Sequence, residues 1–176
     1  PNARVNISNK LIGGHFKFKD YYMSVGREID YGLQLTKDTK LEAETAQLKL
    51  LNDHNVHFIV LARYMQIVSQ SLINKYPNKI INIHHSFLPA FIGAKPYHQA
   101  FERGVKIIGA TAHFVNNELD EGPIIMQDVT HVNHANTAEM MAKMGKDVEK
   151  TVFCKALQLA SEHKLFINGN RTVVFS

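Results

Sequence analysis

Lys79-Ile80-Ile81-Asn82-Ile83 has the pattern of a buried β-strand, and it runs directly into His84-His85-Ser86. Polar side chains therefore occupy four of the five positions from 82 to 86, at the end of an apolar strand. Such groups are costly to bury without partners, so their concentration here indicates a site rather than a packing core. In open α/β sheets, ligands bind beyond the carboxyl ends of the strands. This stretch thus predicts an α/β fold and the place of its site.

The segments before this strand complete a βαβ unit. Residues 56–62 form a continuous apolar, β-branched run, typical of a strand that is covered on both faces. Residues 69–76 are predicted to form a short helix, with Ser69 as its N-cap and Pro77 closing it. Nearer the start, the pattern predicts strands at 4–8 and 28–33, a helix within 11–25, and a helix that begins at 36–38 and ends near Asp53.

The segments after the strand add helices and an antiparallel part. A short helix is predicted over 97–103, followed by strands at 106–115 and 124–132 that pair antiparallel. A long amphipathic helix over 137–163 has Thr137 as its cap, and residues 165–175 form a hairpin with Asn168-Gly169 in its turn. We see no internal repeat and no low-complexity segment.

Composition and charge limit the classes of function. The chain has 176 residues and a formal net charge of +4, and its lysines are scattered, which argues against a nucleic-acid-binding arm. No apolar run approaches the roughly 20 residues that span a bilayer, and residues 1–10 do not resemble a signal peptide. We therefore expect a soluble cytoplasmic protein with no nucleic-acid or membrane partner. Cys154 is the only cysteine, and its helical apolar setting favours a small buried residue over a nucleophile.

Asn82 and His84 are the first candidates for chemistry. Side chains at i and i+2 on a strand share a face, so both can point into one pocket. An amide and an imidazole can each donate to an oxygen that becomes negative during acyl transfer. The structural alternative is that Asn82 caps the strand end while His84 is a hydrogen-bonded core residue. Asp120 could hold the histidine tautomer, although Asp shortly before Gly122 also suits a simple turn.

The several histidines raise the question of a metal site. His84, His85, His98 and His113 lack the close spacing with cysteine or carboxylate support that zinc sites show, so we predict no metal. We expect His85 and His98 to line the pocket or to satisfy loop carbonyls. His113 alternates with Thr111 on its strand and is expected to lie behind the site.

Several stretches of the chain resemble the folate-dependent formyltransferase fold and, within it, the formyltetrahydrofolate deformylase branch. The Asn-x-His core is shared by the whole superfamily, whereas His85 stands where related transferases typically carry proline, and residues 94–98 also resemble the deformylases. The similarity extends over about 36–175 and includes the runs 61–67, 81–91, 93–100, 109–114, 119–125 and 168–175. The resemblance implies a Rossmann-like, mostly parallel sheet with helices on both faces and an antiparallel C-terminal edge.

The resemblance also implies an activity and a set of site residues. The activity is hydrolysis of 10-formyltetrahydrofolate to tetrahydrofolate and formate, which supplies formate for purine biosynthesis and balances one-carbon pools. The folate is then a substrate with water as the second reactant, no cofactor is needed, and a homo-oligomer is expected. The family's catalytic residues fall on Asn82, His84 and Asp120, with His85, Ser86, His98 and His113 in support. The folate pocket falls on Leu61, Tyr64, Met65, Gln66, Ile67, Val68, Asn116, Asn117, Glu118 and Leu119.

The front of the chain departs from the family pattern. About 35 residues precede Thr36, where the family usually has two βα units and a regulatory ACT domain before them. We therefore expect one catalytic domain over 1–176, without the first βα unit and the regulatory domain. Two alternatives stay open: transfer of the formyl group to an amine such as glycinamide ribonucleotide, and a non-catalytic folate-binding domain. The first is disfavoured because residues 11–15 are a poor match to a phosphate-binding loop, the second by the intact Asn82, His84 and Asp120.

Overall fold

The computed structural model describes residues 14–18, 21–25, 40–53, 55–62, 67–89 and 96–175. The chain divides into two compact units, Pro1–Ile81 and Asn82–Ser176, and the division falls inside a strand. The prediction of one domain over 1–176 stays a prediction. In chain order the elements are β1 (Gly14–Phe18), β2 (Tyr21–Val25), α1 (Lys40–Asp53), β3 (Ile59–Ala62), α2 (Gln70–Lys75), β4 (Ile80–His84), α3 (Pro96–Arg103), β5 (Ile107–Phe114), β6 (Ile124–His131), α4 (Ala138–Ser161), β7 (Leu165–Asn168) and β8 (Arg171–Val174).

The first described elements are a β-hairpin. Strands β1 and β2 pair antiparallel, with Phe16 opposite Met23. The helix predicted within 11–25 is therefore wrong. Aromatic residues alternate with other residues along 16–18 and are dense over 21–22, a composition that favours a pleated strand over a helix. The strands predicted at 4–8 and 28–33 lie outside the described residues.

The rest of the first unit follows the predicted order of helix, strand, helix and strand. Ser69 caps α2, because its side chain accepts a hydrogen bond from the Leu72 amide at 3.3 Å. Strand β3 is shorter than the predicted 56–62. The amide of Val56 donates to the Leu51 carbonyl at 2.9 Å, at the end of α1, and is therefore not available to a neighbouring strand. Pairing starts with the Ile59 amide, which donates to the Lys79 carbonyl at 2.8 Å.

Four strands form the main sheet in the order β3-β4-β5-β6. Every residue of β4 is buried, as its apolar sequence predicts. Strands β5 and β6 pair antiparallel, with a shift of register between Ala112 and His113. Such irregularities re-aim side chains and are frequent next to functional sites. The predicted α/β fold, with a mixed sheet and an antiparallel C-terminal part, is confirmed.

A long helix and a short hairpin complete the second unit. Thr137 caps α4, since its hydroxyl oxygen accepts a hydrogen bond from the Met140 amide at 3.3 Å. The buried side of α4 carries Met141, Val152, Ala156 and Leu159. The hairpin β7–β8 has its turn one residue later than predicted, because Asn168 pairs with Arg171 and the loop is therefore residues 169–170. Across the described residues, no helix is long and apolar enough to cross a membrane.

Candidate active site

Two side chains at the end of β4 meet one carboxylate. The Nδ1 atom of His84 lies 3.0 Å from Oδ2 of Asp120, and the Nδ2 atom of Asn82 donates to Oδ1 of the same group at 3.3 Å. Asn82 and His84 are 8% and 5% exposed, so both contacts are made away from bulk water. The spacing of two residues along the strand does place both groups on one side, as predicted. The structure thus brings Asn82, His84 and Asp120 together, while their catalytic roles stay predictions.

The turn between β5 and β6 holds Asp120 in an uncommon conformation. Its φ of 58° lies in the left-handed region, which short polar residues such as Asp tolerate better than others. Gly122 makes this turn possible, because a Cβ at that position would overlap the carbonyl of Phe114 at the end of β5. The amide of Phe114 donates to the Pro123 carbonyl at 2.9 Å, and Asn170 from the C-terminal hairpin donates to the Glu121 carbonyl at 3.0 Å. The backbone that follows Asp120 is therefore held by one hydrogen bond from β5 and one from the C-terminal hairpin.

The surroundings of Asp120 keep its carboxyl group ionised. Hydrogen bonds from His113 and then His84 hold the pKa of Asp120 well below its usual range, and they outweigh the opposing effect of burial. A carboxylate can only accept, so the Nδ1 atom of His84, at 3.0 Å, must carry the proton. The other ring nitrogen, Nε2, then carries a lone pair whenever the ring is neutral. The contact with Asp120 therefore fixes the tautomer of the neutral His84 ring.

Two atoms of this cluster are buried without a partner. Among the described residues, the side-chain atoms in this state are Oδ1 of Asn82, Nε2 of His84 and Oγ1 of Thr172. Leaving a buried polar atom unpaired costs about 1–3 kcal/mol, so two of them on side chains that meet the same carboxylate indicate a place for ligand atoms. The Nε2 atom of His84 is the one that general acid-base chemistry would need.

His113 lies closer to this cluster than its sequence position suggested. Its Nε2 atom is 3.3 Å from Nδ2 of Asn82 and 3.4 Å from Oδ1 of Asp120, so it touches both groups rather than lying behind them. Its Nδ1 atom donates to the carbonyl of Phe114 at 2.8 Å. The side chain is 2% exposed. Its alternation with Thr111 was the available signal, since it places both side chains on one face of β5.

Thr111 and Gln127 hold the loop that follows β4. The Thr111 hydroxyl donates to the Ser86 carbonyl and accepts from the Leu88 amide, both at 3.0 Å. Gln127 donates to Thr111 Oγ1 at 2.9 Å and to the Leu88 carbonyl at 3.2 Å. These bonds satisfy a buried backbone and fix the path of the chain immediately after His84.

The rings of His84, His85 and Tyr97 lie in a row, with His85 next to both of the others. His85 stacks on His84 with centroids 5.3 Å apart and planes 19° apart, and Tyr97 is tilted against His85 at 6.4 Å. Tyr97 donates from its hydroxyl group to Glu149 of α4 at 2.7 Å and packs directly over Gly145, where a Cβ would overlap its ring. Sequence reasoning missed this contact. The only signal was a glycine four residues before Glu149 on α4, which leaves room for a large ring.

The remaining predicted site residues differ in their exposure. Leu61 and Val68 are buried, whereas Ile67 is 60% exposed, and Tyr64, Met65 and Gln66 lie outside the described residues. In the second unit, Asn117, Glu118 and Leu119 are exposed, and the Glu118 amide donates to Asn116 Oδ1 at 3.1 Å. His98 is exposed on α3, near Glu139. Within the part of the chain that is described, no group of three His, Cys, Asp or Glu side chains has an arrangement suited to a metal ion.

Fold and site together define an α/β protein with an amide, an imidazole and a carboxylate gathered at the end of a central strand. The family described as formyl transferase matches residues 22–157, and the chain belongs to this family. It is 49% identical to the formyltetrahydrofolate deformylase of Escherichia coli (strain K12) over 167 residues, which covers 93% of this chain and 58% of that protein.

Solved structures show the same relationship. A formyltetrahydrofolate deformylase from Pseudomonas syringae pv. tomato str. DC3000 matches with a TM-score of 0.76 at 48% identity, over 81% of this chain and 48% of that chain. Glycinamide ribonucleotide transformylase 1 from Symbiobacterium toebii matches with a TM-score of 0.71 at 37% identity, over 76% and 63% of the two chains. The chain thus spans about half the length of the deformylases that it matches. The resemblance to the formyltransferase family, nearest to its deformylases, is confirmed.

Proposed function

We propose that this chain hydrolyses 10-formyltetrahydrofolate to tetrahydrofolate and formate, using Asn82, His84 and Asp120. The observation that carries the proposal is the ionised Asp120 bound to Nδ1 of His84, while Nε2 of the same ring is buried and unpaired. The names of the relatives supply the substrate class, and relatives named as deformylases are more similar than the transformylase in both identity and TM-score. The chemistry of the site follows from its hydrogen bonds.

His84 acts as the base and then as the acid. Its unprotonated Nε2 takes a proton from a water molecule as the water oxygen bonds to the formyl carbon. The resulting imidazolium is stabilised by Asp120 at 3.0 Å. The proton then passes to the folate nitrogen as the carbon–nitrogen bond breaks, which leaves tetrahydrofolate and formic acid, the latter losing its proton to solvent. Asp120 stays ionised throughout.

Asn82 supplies an N–H to the oxygen that becomes negative in the tetrahedral intermediate. Its Nδ2 atom donates one N–H to Oδ1 of Asp120 at 3.3 Å, and an amide nitrogen carries two N–H bonds. The second N–H is then available to substrate.

The folate itself is proposed to bind along residues 61–68 and 116–119. This part of the proposal rests on the resemblance of those residues to the family's folate-binding stretch. Taken one unit at a time, Ile67 is 60% exposed in the first unit and Leu119 is 53% exposed in the second. Water is the second reactant, and a homo-oligomer in the cytoplasm stays a prediction.

Formate release is the test of the function. The purified chain is incubated with 10-formyltetrahydrofolate in the absence of any amine, and formate and tetrahydrofolate are quantified. The proposal expects equal amounts of both, and Asn82→Ala should lower the turnover by about 10²–10³ because one preorganised donor is lost. A parallel reaction contains glycinamide ribonucleotide. Formyl transfer to that amine without free formate would contradict the proposal, and so would folate binding without any turnover.

A further inference from the structure

The ring of His85 lies beside the ring of His84, although the two residues are neighbours in sequence. Adjacent side chains on an extended strand point to opposite faces. Strand β4 ends at His84, however, and the chain bends from His85 onward. The two rings therefore stack, with centroids 5.3 Å apart and planes 19° apart. The hydrogen bonds of Thr111 with the Ser86 carbonyl and the Leu88 amide, both at 3.0 Å, fix this bend.

Tyr97 contacts the His85 ring and is itself anchored to α4. The two rings are tilted by 46°, with centroids 6.4 Å apart. The Tyr97 hydroxyl donates to Oε1 of Glu149 at 2.7 Å, and the ring packs over Gly145, where a Cβ would overlap it. Only 9% of Tyr97 is exposed. Tyr97 therefore has a fixed place next to His85.

The contact with Asp120 does not by itself set the plane of the His84 ring. Oδ2 of Asp120 lies 3.0 Å from Nδ1, and a hydrogen bond tolerates a deviation of about 30° from a straight line. The terminal torsion of a histidine side chain is also broad. A catalytic group must be held within about 10–20° of its productive direction by neighbours that lock its rotamer. The stacked ring supplies this second constraint, because the His84 ring cannot rotate through the space that His85 fills.

We infer that His85 is a positioning residue for the proposed deformylation: stacked on His84 and backed by Tyr97, its flat ring sets the plane of the His84 ring and hence the direction of the Nε2 lone pair. The inference rests on the proposed function, because that function makes Nε2 the atom that takes the proton from water. His85 acts through His84 and takes no proton itself.

The first experiment separates the shape of His85 from its nitrogens. His85→Phe keeps a flat ring without nitrogens, whereas His85→Gln keeps a polar side chain without a ring. His85 is only half-buried, so the larger phenyl ring can extend toward solvent. We expect His85→Gln to lower kcat for formate release by about tenfold, a part of the roughly 10²–10⁴-fold that a positioned acid–base group contributes, while KM changes little. His85→Phe should recover most of that loss.

Three results of this comparison would contradict the inference. They are equal losses of kcat in the two variants, a faster rate in His85→Gln than in His85→Phe, and a change in KM alone. The free energy of unfolding in urea is measured for each variant, so that a loss of fold is distinguished from a loss of positioning.

The second experiment tests the same inference from outside the loop, through Glu149. Glu149→Leu leaves the Tyr97 hydroxyl without its acceptor, whereas Glu149→Gln keeps an acceptor oxygen. We expect Glu149→Leu to lower kcat by less than His85→Gln does, and Glu149→Gln to recover that loss. Combining Glu149→Leu with His85→Gln should add no further loss, because Tyr97 acts through His85. Losses that multiply in the combined variant would contradict the inference.

The third experiment observes the His84 ring without turnover. The full chain is produced with ¹³C-labelled histidine, His84→Gln assigns the signals, and nuclear relaxation gives the order parameter of the ring. The His84 ring should be rigid in the parent and in His85→Phe, and more mobile in His85→Gln. A ring that is equally rigid in all three would overturn the inference. A parent enzyme that releases no formate would instead refute the proposed function.

Discussion

Replacing Gly122 by alanine tests whether the turn at the end of β5 positions Asp120. The new Cβ would lie 2.8 Å from the carbonyl carbon of Phe114 and closer still to its oxygen, where ordinary contacts begin at 3.4 Å. Both atoms belong to the backbone of a paired strand, so the turn must move by about an ångström. Asp120 lies two residues away and would move with it. A displacement of this size costs about 10²-fold in rate, and the overpacking itself destabilises by about 1–3 kcal/mol.

The assay is the rate of formate release at saturating 10-formyltetrahydrofolate, with the free energy of unfolding measured in urea. Gly104→Ala is the control, because its added Cβ would meet no atom within 4 Å and its cost comes instead from a φ of +66°, which is unsuited to alanine. The control should lose about 1–2 kcal/mol through its backbone alone and keep its kcat. If Gly122→Ala also kept the parent kcat, or if both variants lost it equally, the proposed link from Gly122 to Asp120 would be refuted.

Three further predictions concern the charge of Asp120, the packing of α4 against Tyr97, and the N-cap of α4. Asp120→Asn should destabilise the protein at pH 7, because the folded state lowers the pKa of Asp120 and so favours its ionised form. This stabilisation is full only above the pKa of Asp in the unfolded chain, so the difference from the parent should shrink as the pH falls below about 4. The free energy of unfolding in urea at pH 7 and pH 3 measures this. Gly145→Ala should lower the melting temperature despite the better helix propensity of alanine, worth about 1 kcal/mol, because the new methyl group overlaps the buried ring of Tyr97. Thr137→Ala should cost about 1 kcal/mol of unfolding free energy, measured in urea, because the cap of α4 is lost.

Much of the fold could be predicted because its signals are local. The caps Ser69 and Thr137 and the buried strand β4 follow from short-range chemistry, and each is found where the sequence predicts it. The error at 11–25 has a different cause. Its aromatic residues fit a helical face or two short strands almost equally well, so the apolar pattern does not decide between them even though β2 follows β1 directly.

The site was predictable in part for the same reason. Asn82 and His84 share one strand face by simple alternation, so their proximity could be expected. Asp120 could be selected only through the family resemblance, since its contact with His84 joins residues 36 positions apart. The contacts of His113 with Asn82 and Asp120 join residues on different segments, so alternation along β5 alone does not reveal them. The contact of Tyr97 with Glu149 spans 52 positions and leaves almost no local signal.

A double-mutant cycle between His84 and Asp120 tests the central claim most directly. The turnover of 10-formyltetrahydrofolate is measured for His84→Gln, for Asp120→Asn and for the two changes combined, after each variant is shown to be folded. If the carboxylate works through the imidazole, the combined variant should be no slower than the slower single variant, because one functional unit can be lost only once. Losses that multiply in the combined variant would show that the two groups act separately, and would contradict the account.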